Sequence, residues 1–438
     1  MAIPHTDLCK LSATQAAELI RTNQLSAQDY AKTLLERVRE RDPQVRAWVF
    51  LDEDVIMKQA RRLDELPMGK RGPLHGVPVG IKDIFLTRDM PTKYYSRLHA
   101  QDQNAAADSA CVSVLRAAGA IIFGKTATTE FATMTEGGPC TNPHNCKHTP
   151  GGSSSGSAAA VADFQVPLSI GTQTGGSIVR PGSFNGVYGF KATWGTISTE
   201  GVGRCSVSAD TPGFYARNVD DLEFVAHLFR LGSLPAEPVQ KLSLIGARIA
   251  FVKTHIWPNA GAGTLAAWNR AYGLLAESRA DVESLELPKR FASCSRWREI
   301  VVSEEARAAF LPKYCEDKTK VHAEVVSLVE STNLPSRKKL LEAYDGLARL
   351  RAEWDRIASQ FDIIITPSAI DEAPEGIANT GTAVFCSMWT ILHAPAMNVP
   401  GFFGKCGLPI GLQIVGARYT DVQVLQNGKI VGQLFNRL

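Results

Sequence analysis

The chain has 438 residues, 45% of them hydrophobic and 21% charged, and its 47 basic and 44 acidic side chains leave a net charge of +3. This is ordinary globular composition with length for a large core, and so small a charge excess leaves no electrostatic footprint for nucleic acid. No run of 18 apolar residues occurs, so nothing reads as a membrane span.

Nine cysteines are scattered without a Cys-x-x-Cys pair, and Met1-Ala2-Ile3-Pro4-His5-Thr6 has no signal-peptide character. Free thiols in a reducing cytosol are therefore expected. Cys140, Cys146, His144 and His148 lie close together, but their spacing matches no usual zinc pattern, and neither metal nor cofactor is expected.

Ser12 followed by Gln15 is a capping box, and Ser26 with Asp29 is a second helix start. The second helix carries Leu34, Leu35 and Val38 and is expected to end at Asp42-Pro43. Arg37, Arg39 and Arg41 alternate with Glu36 and Glu40, which reads as a solvated face. Ala47 to Leu51 is apolar enough to pack back onto the body, and Asp54 to Leu66 predicts another helix.

Strands are predicted over Val77–Ile81 and Ala120–Gly124, with a helix over Ser109–Ala118 between them. That order points to βαβ units and a mainly parallel sheet. The expected class is α/β: a central mixed, mostly parallel sheet covered by helices on both faces. Ser157 to Ala162 reads as helix and Val166 to Ile170 as strand. Residues from about 257 to 358 are richer in charge and form a mostly helical lobe. Its expected core positions are Leu274, Leu275, Val325, Val326, Leu340, Leu341, Leu347 and Leu350. Strands return at Phe361–Pro367 and in Gly407–Gly416. The chain thus reads as one domain over 1–438. N-terminal helices occupy about 7–66, and a catalytic core occupies about 67–235 and 360–438.

Two serine–glycine clusters carry the chemistry. Pro150-Gly151-Gly152-Ser153-Ser154-Ser155-Gly156-Ser157 and Gly171-Thr172-Gln173-Thr174-Gly175-Gly176-Ser177 set Ser153 and Ser177 24 residues apart. Lys82, in Gly80-Ile81-Lys82-Asp83, lies 71 residues before Ser153. Serine is a weak nucleophile that needs a positioned base, and a lysine made neutral by burial can supply one. Gly152-Ser153-Ser154-Ser155-Gly156 also fits a nucleophile elbow, but Asn142 to Pro150 cannot form the strand that motif requires. No Gly-Lys-Ser/Thr follows the glycines as a P-loop would need. A flexible linker fails because apolar sequence flanks both clusters.

On these residues the chain resembles the amidase signature family of serine hydrolases. The resemblance extends to Gly189-Phe190-Lys191-Ala192-Thr193, to Glu130-Phe131-Ala132 with Asn142-Pro143, and to Pro395–Pro400 and Leu408–Gln413. It spans most of the chain outside the 257–358 lobe. It implies a Ser–cis-Ser–Lys triad, with Ser177 as nucleophile, Ser153 as bridging serine on a cis peptide bond and Lys82 as base. Backbone N–H groups of Thr174, Gly175, Gly176 and Ser177 would form the oxyanion hole. Ser154 and Ser155 would bond loop backbone, and Asp83 would turn away from Lys82. Gln173 stands where the family usually has Asp, and Arg180 follows Ser177 by three residues instead of two. In a malonamidase-like branch that arginine holds a substrate carboxylate; the alternative, favoured here, is that Arg180 braces the loop.

The resemblance implies an amidase that hydrolyses carboxylic amides, with anilides and carbamates or urethanes as further candidates, through an acyl-enzyme. A glutamine-amidotransferase subunit that passes ammonia to a partner enzyme, and a silent family member acting as a binding protein, are the alternatives. A free-standing enzyme is preferred because both clusters are complete and the middle lobe is short. Phe131, Met134, Gly152, Arg180 and Trp389 are candidate substrate contacts, although the apolar ones, like Phe385, Ile391 and Leu392, are equally core residues by type. The expected partner is a small amide or carbamate, with no nucleic acid and no membrane, on a cytoplasmic monomer or homodimer.

Overall fold

The computed structural model describes residues 8–232 and 242–436. Met1–Thr6 and the expected boundaries at 7, 235 and 438 lie outside them. Helices α1 (Ala13–Arg21) and α2 (Ala27–Val45), strand β1 (Trp48–Phe50) and helix α3 (Glu53–Asp64) open the chain. All three helices start on side-chain caps: the reciprocal Ser12/Gln15 box, Ser26 accepting from Asp29 N–H, and Asp52 accepting from Val55 N–H.

β2 (Pro78–Lys82), α4 (Ala110–Ala117) and β3 (Ile121–Thr126) form the expected parallel unit. Then come α5 (Ser155–Ala162), β4 (Leu168–Gln173), α6 (Val179–Asn185), β5 (Tyr188–Lys191), β6 (Thr211–Ala216) and α7 (Val219–Leu228). The next stretch holds β7 (Arg248–Lys253), α8 (Ala262–Glu277), β8 (Asp281–Glu286), α9 (Ser293–Asp317), α10 (Ala323–Glu330) and α11 (Arg337–Ala358). β9 (Ile363–Pro367), α12 (Val384–Ile391), β10 (Ala396–Phe403), β11 (Pro409–Val415) and α13 (Asp421–Phe435) complete the described chain.

The strands make one 11-stranded sheet in the order β1-β3-β2-β4-β6-β5-β10-β11-β9-β7-β8. It is the mixed sheet of an α/β protein, but its parallel pairing is confined to two flanks, β3-β2-β4 and β9-β7-β8. The middle, from β4 through β6, β5, β10 and β11 to β9, is antiparallel throughout. The expectation of a mostly parallel sheet is corrected in that respect. β2 and β4 run side by side with Ile81 opposite Ile170, so Lys82 at the end of β2 comes beside Thr172 near the end of β4.

Four details differ from the sequence expectations. Helix α2 continues past Asp42-Pro43 to Val45. Pro43 sits in the last turn, Arg46 closes the helix in the left-handed region (φ 52°), and its N–H donates to the Asp42 carbonyl at 2.8 Å. Arg37 and Arg41 are not simply solvated: Arg37 Nε donates to the Asp163 carbonyl at 2.9 Å and Arg41 Nε to its carboxylate at 3.0 Å. Within the lobe stretch, β8 is a strand that extends the sheet edge. Leu341 is 50% exposed, whereas Leu274, Leu275, Val325, Leu347 and Leu350 are buried.

Candidate active site

Lys82 ends β2 fully buried, and its Nζ meets three hydroxyls: Ser153 Oγ at 2.8 Å, Thr172 Oγ1 at 2.9 Å and Ser154 Oγ at 3.0 Å. Burial pushes the ammonium well below the ordinary lysine range; Asp210 opposes that shift, and the Arg180 charge adds to it. Asp83 turns away and pairs with Lys125 of β3 at 3.3 Å. Lys125 is itself buried and donates to Thr92 Oγ1 at 2.6 Å and the Phe85 carbonyl at 2.9 Å.

The first cluster is held by its own serines. Ser154 Oγ donates to the Thr172 carbonyl and Ser155 Oγ to the Ala127 carbonyl, both at 3.1 Å. The Gly152–Ser153 peptide is cis. A side chain at 152 would not fit, since a Cβ would stand 2.6 Å from Thr380 Cγ2. Arg180, on α6, is buried and donates to the Gly152 carbonyl at 2.6 Å and the Thr380 carbonyl at 2.9 Å. The guanidinium thus fastens the Ser153 loop to the Thr380 segment.

The second cluster is held by Gln173. Its Oε1 accepts from the N–H groups of Ile178 (2.8 Å) and Val179 (3.0 Å), at the start of α6. Its Nε2 donates to Thr390 Oγ1 at 2.9 Å, and Thr390 in turn donates to the Gly175 carbonyl at 2.7 Å. Between these anchors the N–H groups of Thr174, Gly175, Gly176 and Ser177 donate to no described residue. Ser177 is half-buried. Thr174 Oγ1 donates to Asp210, whose carboxylate also accepts the N–H groups of Cys205 (2.7 Å) and Ser206 (3.0 Å).

Ser153, Thr174, Gly175, Gly176, Ser177 and Arg180 line one cavity of about 570 Å³, together with Met134, Thr380 and Arg298. A larger cavity of about 790 Å³ shares Met134 with it, but holds neither Lys82 nor either of Ser153 and Ser177. Phe131 does not line the smaller cavity; its ring lies 5.8 Å from Phe310 of α9. Trp389 does not line the cavity: it is fully buried beside Trp354 at 4.7 Å, in a core cluster with Ile391 and Leu392, so its expected substrate contact is corrected to core packing. His144 Nε2 pairs with the Asn185 carbonyl (3.0 Å) and His148 Nδ1 with that of Ala373 (2.8 Å).

Sequence reasoning did not find Asp210, Arg298, Lys125 or the contact of Thr172 with Lys82. Thr172 was within reach of it, because two parallel neighbours with a lysine and a threonine near their carboxyl ends bring those side chains together. Asp210 and Arg298 carry no local signal.

The mixed sheet, its flanking helices and the lysine–hydroxyl cluster at the strand ends define an α/β protein of the amidase-signature fold. The chain belongs to the Amidase family, whose model matches residues 29–425. It is similar to a subunit of the Glutamyl-tRNA(Gln) amidotransferase of Symbiobacterium thermophilum, 32% identical over 95% of each chain. The subunit of the same name from Thermobifida fusca is 31% identical over 97% of this chain and 96% of that one. Among solved structures, one described as an amidase superposes with a TM-score of 0.85 at 29% identity, over 98% of this chain and 100% of the other. The peptide amidase of Stenotrophomonas maltophilia gives 0.79 at 25% identity over 98% of each chain.

Proposed function

We propose that the protein cleaves the carbon–nitrogen bond of a carboxamide through an acyl-serine on Ser177. The observation that carries this is the ring of three hydroxyls around the buried Lys82 amine. A neutral amine has two N–H donors and one lone pair, so one of the three hydroxyls must donate to it. The Ser154 hydrogen is spent on the Thr172 carbonyl. Ser153, the member of the set that also lines the cavity, is the donor in this scheme.

Lys82 takes the Ser153 proton as Ser153 takes that of Ser177, and Ser177 Oγ attacks the carbonyl carbon. The oxyanion is met by the free N–H groups of residues 174–177. The proton returns through Ser153 to the leaving nitrogen, the C–N bond breaks, and water hydrolyses the ester by the same relay. Labelling of Ser177 by a fluorophosphonate, with release of amine or ammonia from an amide panel, is the expected result. A folded protein that resists the probe and turns over no amide would overturn the proposal.

A second reading concerns the fate of the ammonia. The curated relatives are named as amidotransferase subunits, and they favour a glutamine-dependent ammonia donor over a free-standing hydrolase. That reading expects glutamine to be the preferred amide and a partner enzyme to copurify and accelerate turnover. Full turnover of small amides by the isolated chain, with glutamine untouched, would return the preference to the hydrolase. Carbamates and anilides belong in the same panel.

A further inference from the structure

Arg298 reaches the catalytic cavity from α9, outside both serine–glycine clusters. The lobe delivers it through an apolar contact in which Phe131 and Met134 pack with Phe310 and Val325. Its neighbour Trp297 packs against α11 at Gly346, where a Cβ would stand 2.5 Å from the indole. The start of α9 is thereby fixed against the rest of the lobe, and the arginine with it.

The guanidinium is poorly satisfied. Among the described residues its one hydrogen bond is a long 3.4 Å contact from Nη2 to the Thr174 carbonyl, and its buried Nε has no partner. No carboxylate among the described residues pairs with it, and no Asp or Glu lines the cavity. Arg180, the other cation there, has its Nε and Nη2 committed to the Thr380 and Gly152 carbonyls, which hold it as a brace. Arg298 therefore brings a charge that no carboxylate among the described residues pairs at ion-pair distance, with donors to spare, beside the loop that leads from β4 to Ser177. Such a group is costly until an anion pairs with it, and a planar carboxylate matches its fork.

Resting on the hydrolase reading above, we propose that Arg298 selects the substrate by binding a carboxylate, so that the amides cleaved are acid-amides. Any anion of that geometry on a short chain from the scissile carbonyl would satisfy it, and Arg180 is left to its bracing role.

The test compares succinamate with butyramide, which differ in the carboxylate, using the purified full chain. The parent protein is expected to prefer succinamate. Arg298→Leu should lower the succinamate-to-butyramide ratio of kcat/KM by about 10- to 100-fold, chiefly through KM, and Arg298→Lys should retain part of it. An unchanged ratio, with both substrates losing equally, would mean that Arg298 only props the Thr174 loop, and would overturn the proposal. The unsubstituted protein gives a second measure that survives any folding defect of the variants. Succinate should protect Ser177 from a fluorophosphonate where uncharged succinamide at the same concentration does not; equal protection overturns the proposal. Labelling and turnover without acid preference would overturn this inference alone. Absence of both labelling and turnover would overturn the hydrolase reading, and this inference with it.

Discussion

Asp83 forms its ion pair with Lys125, at 3.3 Å, and leaves the adjacent Lys82 with hydroxyl partners only. The two lysines lie at the carboxyl ends of neighbouring strands; Asp83 favours the charged form of Lys125, whereas burial favours the neutral form of Lys82. Burial alone raises the Asp83 carboxyl, and the Lys125 charge opposes that; Lys125 in turn is lowered to about 8, mainly by burial.

Breaking that pair should be costly. Lys125→Met leaves Asp83 buried and unpaired, and should lower the unfolding free energy by about 3–5 kcal/mol. Adding Asp83→Asn should restore most of the loss, because the uncompensated charge is gone. Urea unfolding of the two singles and the double checks this; a double variant as unstable as the sum of the singles would contradict it.

The proposed nucleophile and relay predict a pattern of rates. Ser177→Ala should reduce turnover by about 10⁴-fold or more with the melting temperature unchanged. Lys82→Ala and Ser153→Ala should each cost several orders of magnitude, and together little more than either. Additive losses would argue against a shared proton path, and a Ser177→Ala variant with a tenth of the parent activity would remove Ser177 from its role.

What the sequence revealed of this site was what lies close together along the chain. The glycines and serines of each cluster are contiguous, and Lys82 ends a strand whose apolar run is visible, so their types and order could be read. Asp210 and Arg298 come from elsewhere in the chain and join only through the β4–β6 pairing and the docking of the lobe. Arg298 sits among Arg296 and Glu299, a pattern that reads as solvated helix face. Trp389 had the right composition for a pocket wall, and burial against Trp354 decided otherwise. The antiparallel middle of the sheet was hidden for a similar reason: hydrophobic period marks a strand but not its neighbour, and β5 pairs with β10 across most of the lobe sequence.

Arg180 and Arg298 should separate in experiment. Arg180 bonds the carbonyls of Gly152 and Thr380. Arg180→Leu leaves both unpaired, at about 1–3 kcal/mol each, and frees the Ser153 loop. Stability should fall, and kcat/KM should drop to the same degree for succinamate and butyramide. A loss confined to succinamate would transfer the carboxylate role to Arg180.

Lys191 offers a stability test away from the reaction. It is fully buried in β5, its Nζ donates to the Ala192 carbonyl at 2.7 Å, and burial lowers it to about 7, against a smaller raising effect of Asp421. Because the folded value lies below the unfolded one, the unfolded chain binds more protons between about 7 and 10.5, and this group's contribution to stability rises with pH across that window. Lys191→Met removes the contribution. Relative to the parent, the variant should be most favoured at pH 6.5 and lose that advantage by pH 10, as read from urea midpoints. A difference independent of pH would show that Lys191 is not neutralised on folding.

The same sign applies to Lys82, the proposed base, with activity as the readout. Burial holds its ammonium well below the ordinary lysine range, and only the neutral amine can take the Ser153 proton. At low pH the amine is protonated and the relay blocked. kcat/KM should therefore rise with pH through the depressed value and then level off while the protein stays folded. Asp210 is the nearby charge that opposes the depression. Asp210→Asn keeps the shape of the side chain and removes that opposition, so the rise should move to lower pH. The substitution also alters the partner of Thr174, which can change the plateau height but not the direction of the shift. A profile that falls from pH 6 to 9, or an Asp210→Asn profile displaced to higher pH, would be incompatible with Lys82 as the base.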